Sequence, residues 1–559
     1  MTKIFSSKKT NLIIVAFFIL YLAFGIAIHD DYGISWDEPV QRPKMLTNVK
    51  YIAEKVPGLN FLNNYIDSSS SLPDLQTWNS SRKYYGPAFG VPLAFLEILL
   101  DYDGSSIQAV KNGTFKVSNL WHLRHLFTFC FFFIGVVFFY LLTKERFESR
   151  GLGLLGAIFL VLSPRIFAHS FYNPKDIPLL SAFIIALYFC NKYLAQRTHL
   201  MAILAGFATG YAVDVRVAAI IILPITMVFF MFGSFKNDEL FETKSLLKLL
   251  TYFGFTAFFI ILFRPLLWDH TVSNMIKTFN TMSNYGWGGS VWYFGNSIKG
   301  SNVPWHYIPT WITFTTPVTF SIMFVVGLVF VSISLWKNKF ELYINDKQRQ
   351  DLFFLSLFLG PLLAVITFDS TLYDAWRQMF FVYVPFLLLA LAGLVKLFSL
   401  IVRIKPPGFS RVVVFILALL IILNVAMVAQ WMIINHPHQN VYFSLAAKNP
   451  FYDLRGGFEW DYWMLSFKDA LGYINDKQDD TSDSIEISDY LGNVRRNSYN
   501  FSNDFIRRLE FVKFPKYCIA GYRNGYYHGC SLKSQNRKLV YEVRVDGLTL
   551  TKVFLNNKY

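Results

Sequence analysis

The sequence predicts an all-α polytopic membrane protein of about 11 transmembrane helices with a small C-terminal α/β extracytoplasmic domain, and three observations predict it. The 559 residues are 54% hydrophobic and only 16% charged, more apolar side chain than a soluble chain of this length needs to fill its interior. Stretch after stretch reaches the roughly 20 apolar residues that a helix needs to cross hydrocarbon. Beyond Asn435 those runs stop, and short strand-like segments separated by turn residues replace them.

In chain order the expected spans lie near 11–28, 123–143, 151–168, 177–193, 199–213, 217–233, 247–263, 310–336, 351–368, 379–399 and 411–432. Helices are the expected form because each backbone polar group must be paired inside its own segment when no water is present. The apolar run from Leu200 to Met231 is broken only by Asp214 and Arg216, so the division into a fifth and a sixth span rests on those two charges. Pro87 to Leu100 is apolar but short and is expected to dip into the membrane without crossing.

Orientation follows from the basic loops. With the N-terminus cytoplasmic, the inner loops hold Lys144, Arg146 and Arg150; Lys236, Lys244 and Lys248; Lys337, Lys339, Lys347 and Arg349; and Arg403, Lys405 and Arg411. The formal net charge of +15, which in a soluble chain would suggest nucleic acid, therefore reads as a topology signal, and no nucleic-acid partner is expected.

Two domains are expected, 1–434 in the membrane and 435–559 outside it. In the tail, Lys538 to Val545 and Leu548 to Phe554 flank Asp546-Gly547, a hairpin signature. Cys518 and Cys530 fall on the oxidising side, where a disulfide between them is expected, whereas Cys130 and Cys190 lie in spans as buried hydrophobes. The chain has no CxxC pair, no glycine-rich phosphate loop and no internal repeat, which argues against zinc-ribbon and nucleotide-binding classes.

The outward loops hold the chemically unusual residues. The first reads His29-Asp30-Asp31-Tyr32-Gly33-Ile34-Ser35-Trp36-Asp37-Glu38-Pro39. Adjacent carboxylates at a membrane boundary raise one another's pKa, which suits general-base or cation-binding work; a solvated loop with one belt aromatic accounts for the same residues. Ser163 to Asp176, Arg264 to Asp269, Pro304 to Pro309 and Tyr373 to Gln378 follow, all on the same side. A transporter would place ionisable residues at mid-membrane, and the span middles here are nearly free of them.

These elements, in this order, resemble a known family. Trp36-Asp37-Glu38 after the first span, Ser163 to Asp176, Pro304 to Pro309 running into Thr315-Thr316-Pro317, and Tyr373 to Arg377 followed by Phe380, Phe381 and Pro385 are similar to the membrane-embedded GT-C glycosyltransferases of the protein O-mannosyltransferase and aminoarabinose transferase type. The tail stretches His436-Pro437-His438-Gln439-Asn440-Val441-Tyr442-Phe443 and Gly457-Phe458-Glu459-Trp460-Asp461-Tyr462-Trp463 resemble a bacterial branch of that group, family 39. The likeness runs from Asn11 to Phe554.

The resemblance implies that 1–434 is a catalytic region taking a sugar from a polyprenyl-phosphate donor. It implies transfer, with inversion, to a glycolipid, glycan or protein acceptor on the outer face of a bacterial plasma membrane. It puts the general base at Asp37, with Glu38 beside it as orienter or substrate ligand, and a second acid at Asp176 that binds acceptor, sugar or a cation. Arg377 and Lys83, or Arg82 next to it, would hold the donor phosphate, Arg because its fork bonds bidentately. Lys83 departs from the pattern: the aminoarabinose transferases carry a Lys directly before a Pro, where this chain has Gly86-Pro87. No metal ligand is assigned, and use of a divalent cation, which varies among GT-C enzymes, stays open.

Plainer readings stand beside these. Arg377 also reads as a snorkelling cation, Arg216 as a partner of Asp214 at a span end, Arg165 and His169 as loop residues, and Glu459 and Asp461 as residues that fold the tail. The alternative function is a transporter or flippase of lipid-linked sugars.

Overall fold

Nine described helices are long and apolar enough to cross a membrane, and a tenth span results if two helices bent by 70° are counted together. The computed structural model describes residues 8–62, 72–100, 117–283, 286–477, 484–530 and 537–557; the extreme ends of the two expected domains, 1–7 and 558–559, lie outside them. Burial sorts the spans. Asp176–Gln196 is 78% buried across its apolar window and runs through the middle of the bundle, whereas Thr10–Ile28 at 17% and Pro407–Ile434 at 6% face outward with bare Leu, Ile and Phe side chains, as lipid requires.

The expectation of eleven uniform spans needs correcting in three places. The third, 151–168, is two helices, Arg150–Val161 and Pro164–Tyr172, because Pro164 lacks the N–H that would continue the first one. The fifth is a 17-residue helix, His199–Val215, shorter than a full crossing. The stretch 310–336 divides at Thr316-Pro317 into Tyr307–Thr315 and Val318–Asn338. Arg165 and His169, expected in a loop, are therefore in a buried helix that packs against the span Val117–Phe147 and the turn Gln439–Val441.

After Ile434 the chain returns across one end of the bundle. Val441, Phe443, Phe458 and Trp463 join the bundle's apolar core, so the stretch up to Leu465 belongs with the membrane region by packing. A separate core around Phe467, Leu471, Ile474, Ile487, Ile519 and Val553 supports a six-stranded mixed sheet. Its strand order is Leu509–Phe511, Ile485–Ile487, Tyr517–Arg523, Leu548–Asn556, Arg537–Val545, with Tyr526–His528 pairing off Tyr517–Arg523. The expected hairpin is present, Leu548 pairing with Val545 across Asp546-Gly547, and Cys518 is bonded to Cys530. Cys190 is buried and Cys130 half-buried, both unbonded.

Candidate active site

Helix starts build this site. Asp37 and Glu38 open the helix Asp37–Lys55, Asp176 opens the central span Asp176–Gln196, and Arg377 opens a short 3-10 turn leading into Tyr383–Ile401. A helix N-terminus carries partial positive charge, so a carboxylate in the first turn is favoured there. All four side chains lie at the end of the bundle covered by the tail, and all are buried.

Arg377 joins the two acids. Its Nη1 donates to Asp176 Oδ2 at 2.7 Å and to Asp37 Oδ2 at 3.3 Å, while Nη2 donates to Asp374 Oδ2 at 3.0 Å. Lys175 Nζ donates to Asp37 Oδ1 at 3.1 Å, and Arg216 bonds Asp176 Oδ1. Burial alone would raise the Asp37 carboxyl, but Lys175 and Arg377 overcome it and hold the group well below the usual carboxylate range. Lys175 is lowered in turn by burial, against the pull of Asp37. Lys44, one helical turn from the second turn's Gln41 and 3.9 Å above the Tyr85 ring, is driven down to about 6 by burial and by the Lys175 charge.

Asn173 orders the second acid: its Nδ2 donates to Asp176 Oδ2 at 3.0 Å, and its Oδ1 accepts the Asp176 N–H at 2.9 Å. His169 continues the chain, with Nδ1 3.0 Å from Asn173 Nδ2 and Nε2 2.9 Å from the Tyr462 hydroxyl of the tail.

The other expected residues lie differently. Glu38 faces away from Arg377: its Oε2 accepts the Ser35 N–H at 2.7 Å and its Oε1 lies 3.1 Å from His125 Nε2. Lys83 is bonded to the Gln76 carbonyl at 2.8 Å and takes no part in the Asp37 cluster. Gly86 explains why no Lys precedes Pro87, since a Cβ there would collide with the Asp214 carbonyl and crowd the Arg264 guanidinium. Arg216 is not the partner of Asp214; Arg264 Nε fills that role at 2.7 Å and leaves Arg216 to Asp176. Lys175, Asp374 and Arg216 are thus the members that sequence reasoning missed. Lys175 adjoins Asp176, and Asp374 precedes Arg377 by three residues, so both sat inside stretches already singled out.

Arg216, Arg264, Tyr85, Tyr373 and Gln378 line a cavity of about 400 Å³ whose wall is mixed, with Ser283, Ser370 and Thr371 beside Ile220, Ile221, Phe279, Met282, Val365 and Phe368. Arg216, which pairs with Asp176, is thus in the wall of a cavity that also includes the exposed apolar side chains Ile220 and Phe368.

Among the described residues no group of three or more His, Cys, Asp or Glu is arranged to hold a metal ion. The donor set explains this: Asp37 and Asp176 are each already engaged by two basic side chains, which take the positions a divalent cation would need.

Residues 113–268 match the family described as dolichyl-phosphate-mannose-protein mannosyltransferase, a stretch that contains Lys175, Asp176, Arg216 and Arg264. No curated protein matches the chain. Over this stretch the chain, a multi-pass membrane protein, is similar to that family of glycosyltransferases, whose described donor is a lipid-phosphate-linked sugar.

Proposed function

We propose that this glycosyltransferase moves a sugar, with inversion at the anomeric carbon, from a polyprenyl-phosphate donor to a cell-envelope acceptor at the Asp37 centre, on the extracytoplasmic face of a bacterial plasma membrane. The observation that carries the reading is a cationic cluster, Arg377, Lys175 and Arg216, that adjoins through Arg216 a cavity with exposed apolar side chains in its wall. A polyprenyl phosphate has that same division, an anionic head on a hydrocarbon tail, and the tail gives a reason for a site at a membrane boundary.

In the reaction an acceptor hydroxyl oxygen attacks the anomeric carbon. The bond from that carbon to the phosphate oxygen breaks, the electron pair leaves on the phosphate, and the hydroxyl proton passes to the Asp37 carboxylate. Arg377, Lys175 and Arg216 are the groups placed to neutralise the leaving phosphate. The same cations make Asp37 a weak base in the free protein. A donor phosphate that draws Lys175 and Arg377 towards itself would release Asp37 from two charges and restore its basicity as the reactive complex forms. Asp176 keeps Arg377 and Arg216 oriented and is a hydrogen-bond acceptor for sugar hydroxyls.

The acceptor class, glycolipid, glycan or protein, is open within this reading, and comparing envelope glycans by mass spectrometry with and without the chain would identify it. The test of the reaction is Asp37→Asn. Transfer should fall by about 10²–10⁴-fold while donor binding and folded yield persist, the usual weight of a general base. Undiminished transfer by that variant would remove Asp37 from the role. A wild-type protein that consumes no polyprenyl-phosphate sugar but moves one between vesicle leaflets would replace the whole reading with transport.

A further inference from the structure

The loop that carries Asp37 is held by the tail almost residue by residue. His436 Nε2 lies 2.7 Å from Asp31 Oδ2, Lys468 reaches the Asp30 carbonyl, and Tyr32 donates to Gln439 Oε1 at 3.2 Å. Nearer to Asp37, the Ile34 N–H donates to Asn497 Oδ1 at 3.1 Å and Arg496 Nε donates to the Ile34 carbonyl at 2.9 Å. The Arg496 guanidinium also lies 5.1 Å from the centroid of the Trp36 ring. Gly33 permits this approach, because a Cβ there would stand 2.5 Å from the Leu465 carbonyl and 2.7 Å from Asn497 Oδ1. Arg496 and Asn497 are buried on the helix Asn493–Ser498, which is anchored through Val494 in the separate core of the sheet.

A second attachment reaches Arg377. Asp374 Oδ2, which accepts from Arg377, also accepts from Trp463 Nε1 at 3.2 Å, and Asp374 Oδ1 lies 3.4 Å from Arg523 Nη2. Asp374 and Ala375 both have left-handed backbone, φ 56° and 59°, a conformation non-glycine residues adopt only when their surroundings enforce it. Trp463 supplies further enforcement, its ring lying 4.8 Å from the Arg377 guanidinium. Arg523 ends the strand Tyr517–Arg523 at the centre of the sheet, so the fold of the C-terminal domain determines where it stands.

We propose that the C-terminal domain is a working part of the Asp37 centre: its Arg496 and Asn497 position the loop bearing Asp37, and its Arg523, together with Trp463 from the stretch that packs on the bundle, positions Arg377 through Asp374. The proposal rests on the assignment of Asp37 as base. These are positioning residues, acting through the backbone of Ile34 and the carboxylate of Asp374. The physical need is that a displacement of about 1 Å at a reacting group costs on the order of 10²-fold in rate.

The experiment compares the full chain with Arg523→Gln, Arg523→Lys and Asn497→Ala, using whichever synthetic polyprenyl-phosphate sugar from a panel the wild type consumes best. Arg544→Gln, on the outer strand and paired with Glu542, serves as control. Arg523→Gln should lower kcat by about 10-fold or more with donor KM within about 2-fold, because the loss is one of alignment and not of binding. Arg523→Lys should recover most of it, and Asn497→Ala should show the same split.

The pH profile separates positioning from folding. Asp37 is faced by Lys44 on its own helix, by Lys175, Asp176 and His169, by Arg377 and Tyr373, and by Arg496 from the tail. Without Arg523, Asp374 draws Arg377 away from Asp37, so the Asp37 carboxyl should rise from its depressed value and the acid limb of kcat/KM should move to higher pH. Loss of folded protein alone lowers the whole profile without moving the limb. Wild-type kcat and an unmoved limb in both Arg523→Gln and Asn497→Ala, or a loss that merely tracks folded yield by gel filtration, would overturn the proposal. Failure of the base assignment is seen separately, as transfer surviving in Asp37→Asn.

Discussion

The two ends of the helical bundle both carry dense charge and couple it in opposite ways. At the covered end Asp37, Asp176, Asp374, Lys175, Arg216 and Arg377 form one connected network in which the three acids and Arg377 are buried. At the other end the charges stand in separate pairs, some exposed, as Lys347 with Glu148 at 3.0 Å (52% and 69% exposed) and Lys192 with Glu145 at 2.8 Å, and one largely buried, Arg146 with Asp351 at 2.6 Å. Exposed pairs of this kind contribute about 0–1 kcal/mol, and their loops need only be basic to fix orientation. A buried network carries a desolvation cost that apolar residues would avoid, so its retention at one end points to work done there.

Removing one member from each end tests this contrast most directly. Asp176→Ala removes the carboxylate shared by Arg377 and Arg216 while Arg377 keeps Asp37 and Asp374, and thermal unfolding in detergent should show a loss of about 1.5–3 kcal/mol. A change under 1 kcal/mol would mean that water or lipid already screens the network, and the contrast between the ends would collapse.

A smaller effect comes from Glu459, buried in the tail beside Arg523 and Asp374. Burial raises its carboxyl to about 8, with Arg523 opposing and Asp374 assisting. The folded protein therefore holds a proton that the unfolded chain releases near pH 4.5, so the stabilisation is complete below that pH and is lost as pH rises through about 8. The melting temperature of the wild type should fall between pH 5 and pH 8.5, whereas Glu459→Gln should flatten that slope and be the more stable of the two at the upper end. Parallel curves for both proteins would show that Glu459 is ionised throughout.

The smallest effect belongs to the exposed end. Glu148→Gln should change stability by less than about 0.5 kcal/mol and leave transfer untouched, and the residual difference should vanish in high salt. A larger loss would sharpen the comparison differently, by revealing that the exposed end has a coupled network of its own.

Much of the site was legible because its acids stand at span ends, where an apolar run meets a carboxylate and no simple packing role is at hand. Asp37, Asp176 and Arg377 were singled out that way, with the family resemblance supplying their roles. Arg216 was misread because Asp214 lies two residues before it, yet Asp214 is in the last turn of the helix His199–Val215 and Arg216 is extended backbone just beyond it, so the two side chains leave in different directions. Asp214 turns to Arg264 and Arg216 to Asp176, partners 50 and 40 residues distant. Glu38 was paired with Asp37 by adjacency for the same reason, although successive residues at a helix start diverge, one towards Arg377 and the other towards His125.

Composition and run length determined by themselves that the chain lives in a membrane and where most of its spans fall. Those properties depend on transfer of side chains between water and hydrocarbon, which each residue contributes almost independently of its neighbours. Only the tertiary structure decided that Pro164–Tyr172 folds inward, that Lys175 and Arg216 complete the cluster, and that Arg496, Asn497 and Arg523 reach it from more than a hundred residues away. Hydrogen bonds and ion pairs depend on fractions of an ångström and on direction, and those are set only when every element has packed.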